Sequence, residues 1–149
     1  MSYRLPPELV VGYEEIDLQH RTLFERLDAV LAAAKADDVK AARETLAKLS
    51  DYLMAHFGAE ESFMAATHYP ERGRHKSAHD LFMQDFSQNV AELRTTGLSV
   101  PVMQWLTARV PEWVKFHIQV NDVPLGRYLA AKRFRAQPEA ARVDKPRVF

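Results

Sequence analysis

The sequence predicts an all-α protein, an up-down-up-down four-helix bundle with a short C-terminal helix and a tail. Three observations carry that expectation. Apolar residues recur at steps of three and four along four segments, the period of a helix with one buried face. No sustained two-residue alternation of the strand type interrupts them. Turn and cap signals at Asp37-Asp38, Tyr69-Pro70 and Gly97 divide the chain into lengths that suit antiparallel neighbours.

The first helix runs from about Ile16 to Lys35, with His20, Leu23, Phe24, Leu27, Val30, Leu31 and Ala34 on one stripe. Asp37 and Asp38 offer side-chain acceptors to the unpaired N–H groups that open the second helix, which continues to about Ala66. Its seam is Leu46, Leu49, Leu53, His56, Glu60 and Phe63. The third runs from about Glu71 to Thr95, with His75, His79, Phe82, Phe86 and Leu93 inward and Gly97 as its stop. Pro101 suits the first turn of a fourth, whose seam is Leu106, Val110, Trp113 and His117. Pro111, inside that helix, removes a backbone donor and should kink it or split off its first turns. A short helix from Pro124 to about Lys132 closes the fold, and Met54, Met64 and Met83 are expected to fill core gaps. Residues 1–131 thus form one bundle domain. Residues 132–149, with six basic and two acidic side chains and two prolines, read as a solvated basic tail.

At 149 residues the chain suits one domain that buries roughly two-thirds of its unfolded surface. Twenty basic and twenty acidic residues leave no net charge, so neither nucleic acid nor an anionic membrane is an expected partner. The absence of cysteine excludes disulfides, thiolate zinc sites and cysteine-held iron–sulfur clusters. The N-terminal Met-Ser-Tyr-Arg-Leu-Pro-Pro has no apolar core of signal-peptide length, and no run approaches a membrane span. A cytoplasmic, monomeric protein is expected.

Polar residues break the apolar seams at seven places: His20, His56, Glu60, His75, His79, His117 and Asp122. His56–Glu60 and His75–His79 are four apart, so each pair lies on one helix face. Glu60 stands where the seam calls for Leu or Phe, and a buried carboxylate without a partner is costly. In an up-down-up-down bundle, an early position on helices one and three meets a late position on helices two and four. His20, His56, His75, His79 and His117 therefore gather at one end. His117 and Asp122 are five apart, about 140° around a regular helix, so they converge only if the helix is disturbed. Pro124 disfavours helical geometry at Val123, which predicts that the helix unwinds where Asp122 swings inward. His68, beside the Tyr69-Pro70 turn, is excluded, and Glu61 is assigned to the solvated side or to an outer contact.

Imidazole and carboxylate donors without thiolate suit iron, manganese or zinc. One structural zinc would use about four donors and strand the rest. Seven fit two six-coordinate ions if both carboxylates and a solvent oxygen bridge them. The ion with three histidines is then full, and its neighbour with two keeps one open position for a small ligand.

The succession His20, His56-Phe-Gly-Ala-Glu60, His75-Lys-Ser-Ala-His79 and His117-Ile-Gln-Val-Asn-Asp122 resembles the hemerythrin family, in particular its single-domain bacterial members. Gly12-Tyr-Glu-Glu-Ile-Asp-Leu-Gln-His20, Glu60-Glu61-Ser-Phe-Met64, Tyr69-Pro70 and Trp113-Val-Lys-Phe-His117-Ile118 strengthen the likeness, which covers roughly residues 10–130. Up-down-up-down bundles include myohemerythrin, so this topology is shared with the resemblance and is not independent of it. The likeness implies two iron ions with an oxo or hydroxo bridge. His75, His79 and His117 would hold one iron, His20 and His56 the other, and Glu60 and Asp122 would bridge. It implies that dioxygen binds end-on at the iron of His20 and His56, sheltered by Leu23, Phe57, Trp113, Val114 and Ile118.

Three departures stand out. Val114 replaces the Leu of many relatives, Pro111 is foreign to the pattern, and the N-terminal region has Tyr3 and Tyr13 but no tryptophan. The function implied is non-enzymatic dioxygen binding for storage, delivery or sensing, with an oxygen-consuming protein as the partner class. The alternatives are a di-iron redox enzyme (oxidase, peroxidase or nitric-oxide handling) and an iron reservoir. The Glu-x-x-His repeats of ferritin-like di-iron oxidases are missing, which favours binding over turnover.

Overall fold

A computed structural model describes residues 5–136. Helix α1 (Glu14–Lys35) begins two residues before the predicted Ile16, with Glu14, Glu15 and Asp17 in its first turn, where negative charge complements the helix dipole. Asp17 turns inward instead of into solvent. Its carboxylate accepts the N–H groups of Val11 (2.9 Å) and Gly12 (3.2 Å) and so ties the preceding segment to the bundle. Helix α2 (Val39–Ala66) opens on Asp38, whose Oδ1 accepts the Ala41 N–H at 3.0 Å. Its whole predicted seam is buried. Met54, expected in the core, is instead 59% exposed. It follows Leu53 by one residue, about 100° away from the seam.

Helix α3 (Arg72–Thr96) buries His75, His79, Phe82, Phe86 and Leu93, as its spacing predicts. It ends at Gly97, whose φ of 66° lies in the region where only glycine escapes a Cβ penalty. The turns 36–38, 67–71 and 97–99 are short, so successive helices run antiparallel and bury one continuous core.

The fourth run departs most from expectation. It comprises α4 (Val100–Gln104), a π turn (Trp105–Arg109), α5 (Val110–His117), a second π turn (Ile118–Asp122) and α6 (Val123–Ala131). Pro111 does not split it. The Val110 N–H instead reaches back five residues to the Trp105 carbonyl, and this wider turn accommodates a proline ring that would press on the carbonyl of Thr107. The same device recurs before Pro124, where the Val123 N–H bonds the Ile118 carbonyl. Val123 keeps helical angles (φ −61°, ψ −49°), so the predicted unwinding does not occur. A π turn places residues five apart nearly one above the other, so His117 and Asp122 converge without breaking the helix.

The N-terminal segment lies across this run. Leu5, Leu9, Val11 and Tyr13 are buried. Gly126 lets the chain approach closely, since a Cβ there would lie 2.6 Å from the Val11 carbonyl oxygen. The start of the predicted tail also returns to the bundle. The Phe134 ring lies 5.5 Å from that of Phe63 and stacks at 6.4 Å on that of Tyr13, whose hydroxyl donates to the Phe134 carbonyl. Burial of that ring offsets the solvation expected for a basic segment. The rest of the predicted tail and Tyr3 lie outside the described residues. Among the described residues, no helix is long and apolar enough to cross a membrane.

Candidate metal centre

The seven polar seam residues meet at one end of the bundle. His20 comes from α1, His56 and Glu60 from α2, His75 and His79 from α3, His117 from α5 and Asp122 from the second π turn. None is more than 3% exposed. Glu60, His75, His79, His117 and Asp122 each offer an atom, all lying within 4.8 Å of one another, and so do His20, His56, Glu60 and Asp122. Glu60 and Asp122 belong to both groups. His68 lies apart, exposed in the turn after α2 with a φ of 53°.

The contacts inside the cluster are close yet incompletely satisfied. The His20 Nε2 lies 3.0 Å from Asp122 Oδ2, and the His79 and His117 Nε2 atoms face each other at 3.1 Å. The His75 Nε2 is 3.0 Å from Asp122 Oδ1 and 3.5 Å from Glu60 Oε1, but neither contact is aligned as a hydrogen bond. Both oxygens of Glu60 and the Oδ1 of Asp122 also lack a hydrogen-bond partner. Buried polar atoms are normally paired, and leaving one unmet costs about 1–3 kcal/mol. Lone pairs that converge and cannot satisfy one another are what a cation requires. The donor set therefore fits metal.

The electrostatics point the same way. Burial opposes charge on His75, but the adjoining Asp122 and Glu60 outweigh it and raise its pKa to about 10. Burial likewise opposes a charged His20, and the Asp122 hydrogen bond reverses the outcome, so its pKa is also raised. His56, where burial prevails, falls to about 4. Burial works against ionisation of the two carboxylates too, yet the surrounding histidines hold both below their ordinary range.

Outer contacts orient three of the imidazoles through Nδ1, and two of them, Gln19 and Asn121, are not among those expected from the sequence. Gln19 Oε1 lies 2.6 Å from the Nδ1 of His56. Glu61 Oε2 lies 2.9 Å from that of His79, which places Glu61 as an outer contact and not on the fully solvated side. Asn121 Nδ2 lies 3.2 Å from that of His117, and Arg74 Nη1 donates to Asn121 Oδ1 at 2.8 Å. The four-residue spacing from His117 to Asn121 was a visible signal. Gln19 and Arg74 reach across helices, and no local pattern marks them.

Of the five residues predicted to form an apolar shelter, Leu23, Phe57, Val114 and Ile118 are buried and Trp113 is partly so. Phe57 stacks on His79 with centroids 3.9 Å apart, and Trp113 stacks on His117 at 4.4 Å with Phe82 behind it at 3.8 Å. These two rings therefore cover the group with three histidines.

A buried cluster of five imidazoles and two carboxylates, drawn from all four helices of an antiparallel bundle, defines a helical protein built to hold metal. Residues 11–124 match the family model described as the hemerythrin HHE cation-binding domain. The chain belongs to the hemerythrin family. It is 30% identical over 116 residues to a bacteriohemerythrin of Stenotrophomonas maltophilia, covering 77% of this chain and 73% of that one. A hemerythrin-like protein of Naegleria gruberi is 29% identical over 113 residues, covering 76% and 82%. A bacteriohemerythrin of Clostridium acetobutylicum is 28% identical over 120 residues, covering 77% and 92%.

Proposed function

We propose that this protein binds dioxygen reversibly at a pair of iron ions, without turnover. His75, His79 and His117 hold one ion and His20 and His56 the other, with Glu60 and Asp122 shared. The observation that carries this reading is the unequal division of the cluster. Two donor groups share two carboxylates, and one group has a histidine fewer than the other. An ion in the three-histidine group would find five protein donors and one in the two-histidine group only four, which would leave the second more room for a small ligand. The irons would supply the electrons that a bound dioxygen takes up and returns.

The protein's part is to hold, orient and shelter. Gln19 and Glu61 accept hydrogen bonds from the Nδ1 of His56 and His79, which keeps each Nε2 lone pair directed at the cluster. Phe57 and Trp113 stack on His79 and His117 and so cover the three-histidine position. Leu23, Val114 and Ile118, all buried, supply apolar surface that offers water no partner. Reversibility depends on that exclusion.

The test is the visible spectrum of the reduced, iron-loaded protein as oxygen is admitted and then removed. A charge-transfer band that appears with oxygen and fades on its removal is the expected result. Direct passage to an oxidised spectrum that only a reductant reverses would overturn reversible binding and assign the site to redox chemistry.

A further inference from the structure

The three outer contacts at the imidazoles differ in polarity. A neutral imidazole carries one N–H, and a metal at Nε2 leaves that proton on Nδ1, which then needs an acceptor. His56 and His79 face acceptors, Gln19 Oε1 and Glu61 Oε2. His117 faces a donor, the Nδ2 of Asn121. An isolated amide could turn over and offer its oxygen instead. Here Arg74 prevents it, because its Nη1 donates to Asn121 Oδ1 at 2.8 Å and a guanidinium has no acceptor to offer an inverted amide. Asn121 is only 6% exposed, so solvent has little scope to compensate. Arg74 is about half exposed and has a second partner, Glu71, at 3.0 Å.

We infer that Arg74, acting through Asn121, is a positioning residue that holds the His117 side chain in the polarity opposed to metal ligation, and so limits how tightly the three-histidine position retains its ion. This rests on the metal-ligand reading above but not on dioxygen binding. Loading requires the Asn121 amide to invert and Arg74 to withdraw to Glu71. A surface cation thereby governs a buried ligand.

The test compares Arg74→Ala, Arg74→Lys and Asn121→Asp with the unaltered chain, by chelator competition against cobalt(II) and zinc(II), with Tm recorded for each metal-free protein. Arg74→Ala frees the amide to invert, and Asn121→Asp supplies a carboxylate that accepts from both His117 and Arg74. Both should tighten metal binding about tenfold, the lower end of the range for outer-contact changes. Arg74→Lys, which still only donates, should bind as the unaltered chain does. A merely structural role would weaken binding in all three. Unchanged or weaker binding by Arg74→Ala and Asn121→Asp, in a chain that itself binds metal, overturns the inference alone. Failure of the unaltered chain to bind either metal overturns the metal-ligand reading and this inference with it.

Discussion

Glu60→Ala separates a shared pair of sites from two independent ones. Glu60 is fully buried and stands in both donor groups, so its loss removes one donor from each. In the metal-free protein the cost is moderate. Truncation leaves a cavity, but it also removes two oxygens that have no hydrogen-bond partner, and these effects offset to within about 2 kcal/mol. The metal-dependent part is larger. An ion supplied at about a thousand times its Kd stabilises the fold by about 4 kcal/mol, so two contribute about 8 kcal/mol. At about 2–4 °C per kcal/mol for a chain of this size, the metal-loaded Tm should exceed the metal-free Tm by about 15–30 °C. Glu60→Ala should remove most of that difference, His20→Ala about half, and His68→Ala none. The assay is anaerobic calorimetry with and without iron(II), with metal content measured per chain. Retention of one ion at full affinity by Glu60→Ala would refute the sharing, and equal losses in all three variants would refute the ligand assignment.

Three further outcomes are expected. Val114→Leu adds apolar volume beside His117 and should slow irreversible oxidation of the oxygenated protein several-fold; an equal or faster rate counts against the shelter. Gly126→Ala drives a Cβ against the Val11 carbonyl and should cost about 1–3 kcal/mol, seen as a lower denaturation midpoint, because backbone cannot yield as a side chain can. In the metal-free protein, burial opposes charge on His75 but Asp122 and Glu60 raise its pKa to about 10, above the unfolded value. The stability this histidine contributes is therefore complete below about pH 6.5 and lost as pH rises through about 10. The metal-free Tm should fall between pH 7 and 10, and His75→Ala should flatten that fall; an unchanged slope in the variant would show that another group controls it.

Periodicity along the chain was enough to determine the four helices and most of the buried face. The six positions of the α2 seam need only a helical repeat and one apolar side to be read, because adjacent residues on a helix impose those constraints on each other. The gathering of His20, His56, Glu60, His75, His79 and His117 at one end follows from alternating helix direction. Met54 shows the limit of composition: a side chain suited to the core by type faces solvent because of its angle on the helix.

Tertiary structure decided the rest. The five-residue interval from His117 to Asp122 demanded a distortion, but whether the chain unwinds or widens depends on which leaves fewer backbone groups unpaired, and the π turn keeps the bond from Val123 to Ile118. Phe134 joins the bundle because Tyr13 and Phe63, distant in sequence, meet it there. Gln19 and Arg74 acquire meaning only when another helix brings a histidine or an amide within hydrogen-bond reach. A ligand's identity is local chemistry and can be read along a chain. The polarity of what stands behind it is set by neighbours that only packing supplies.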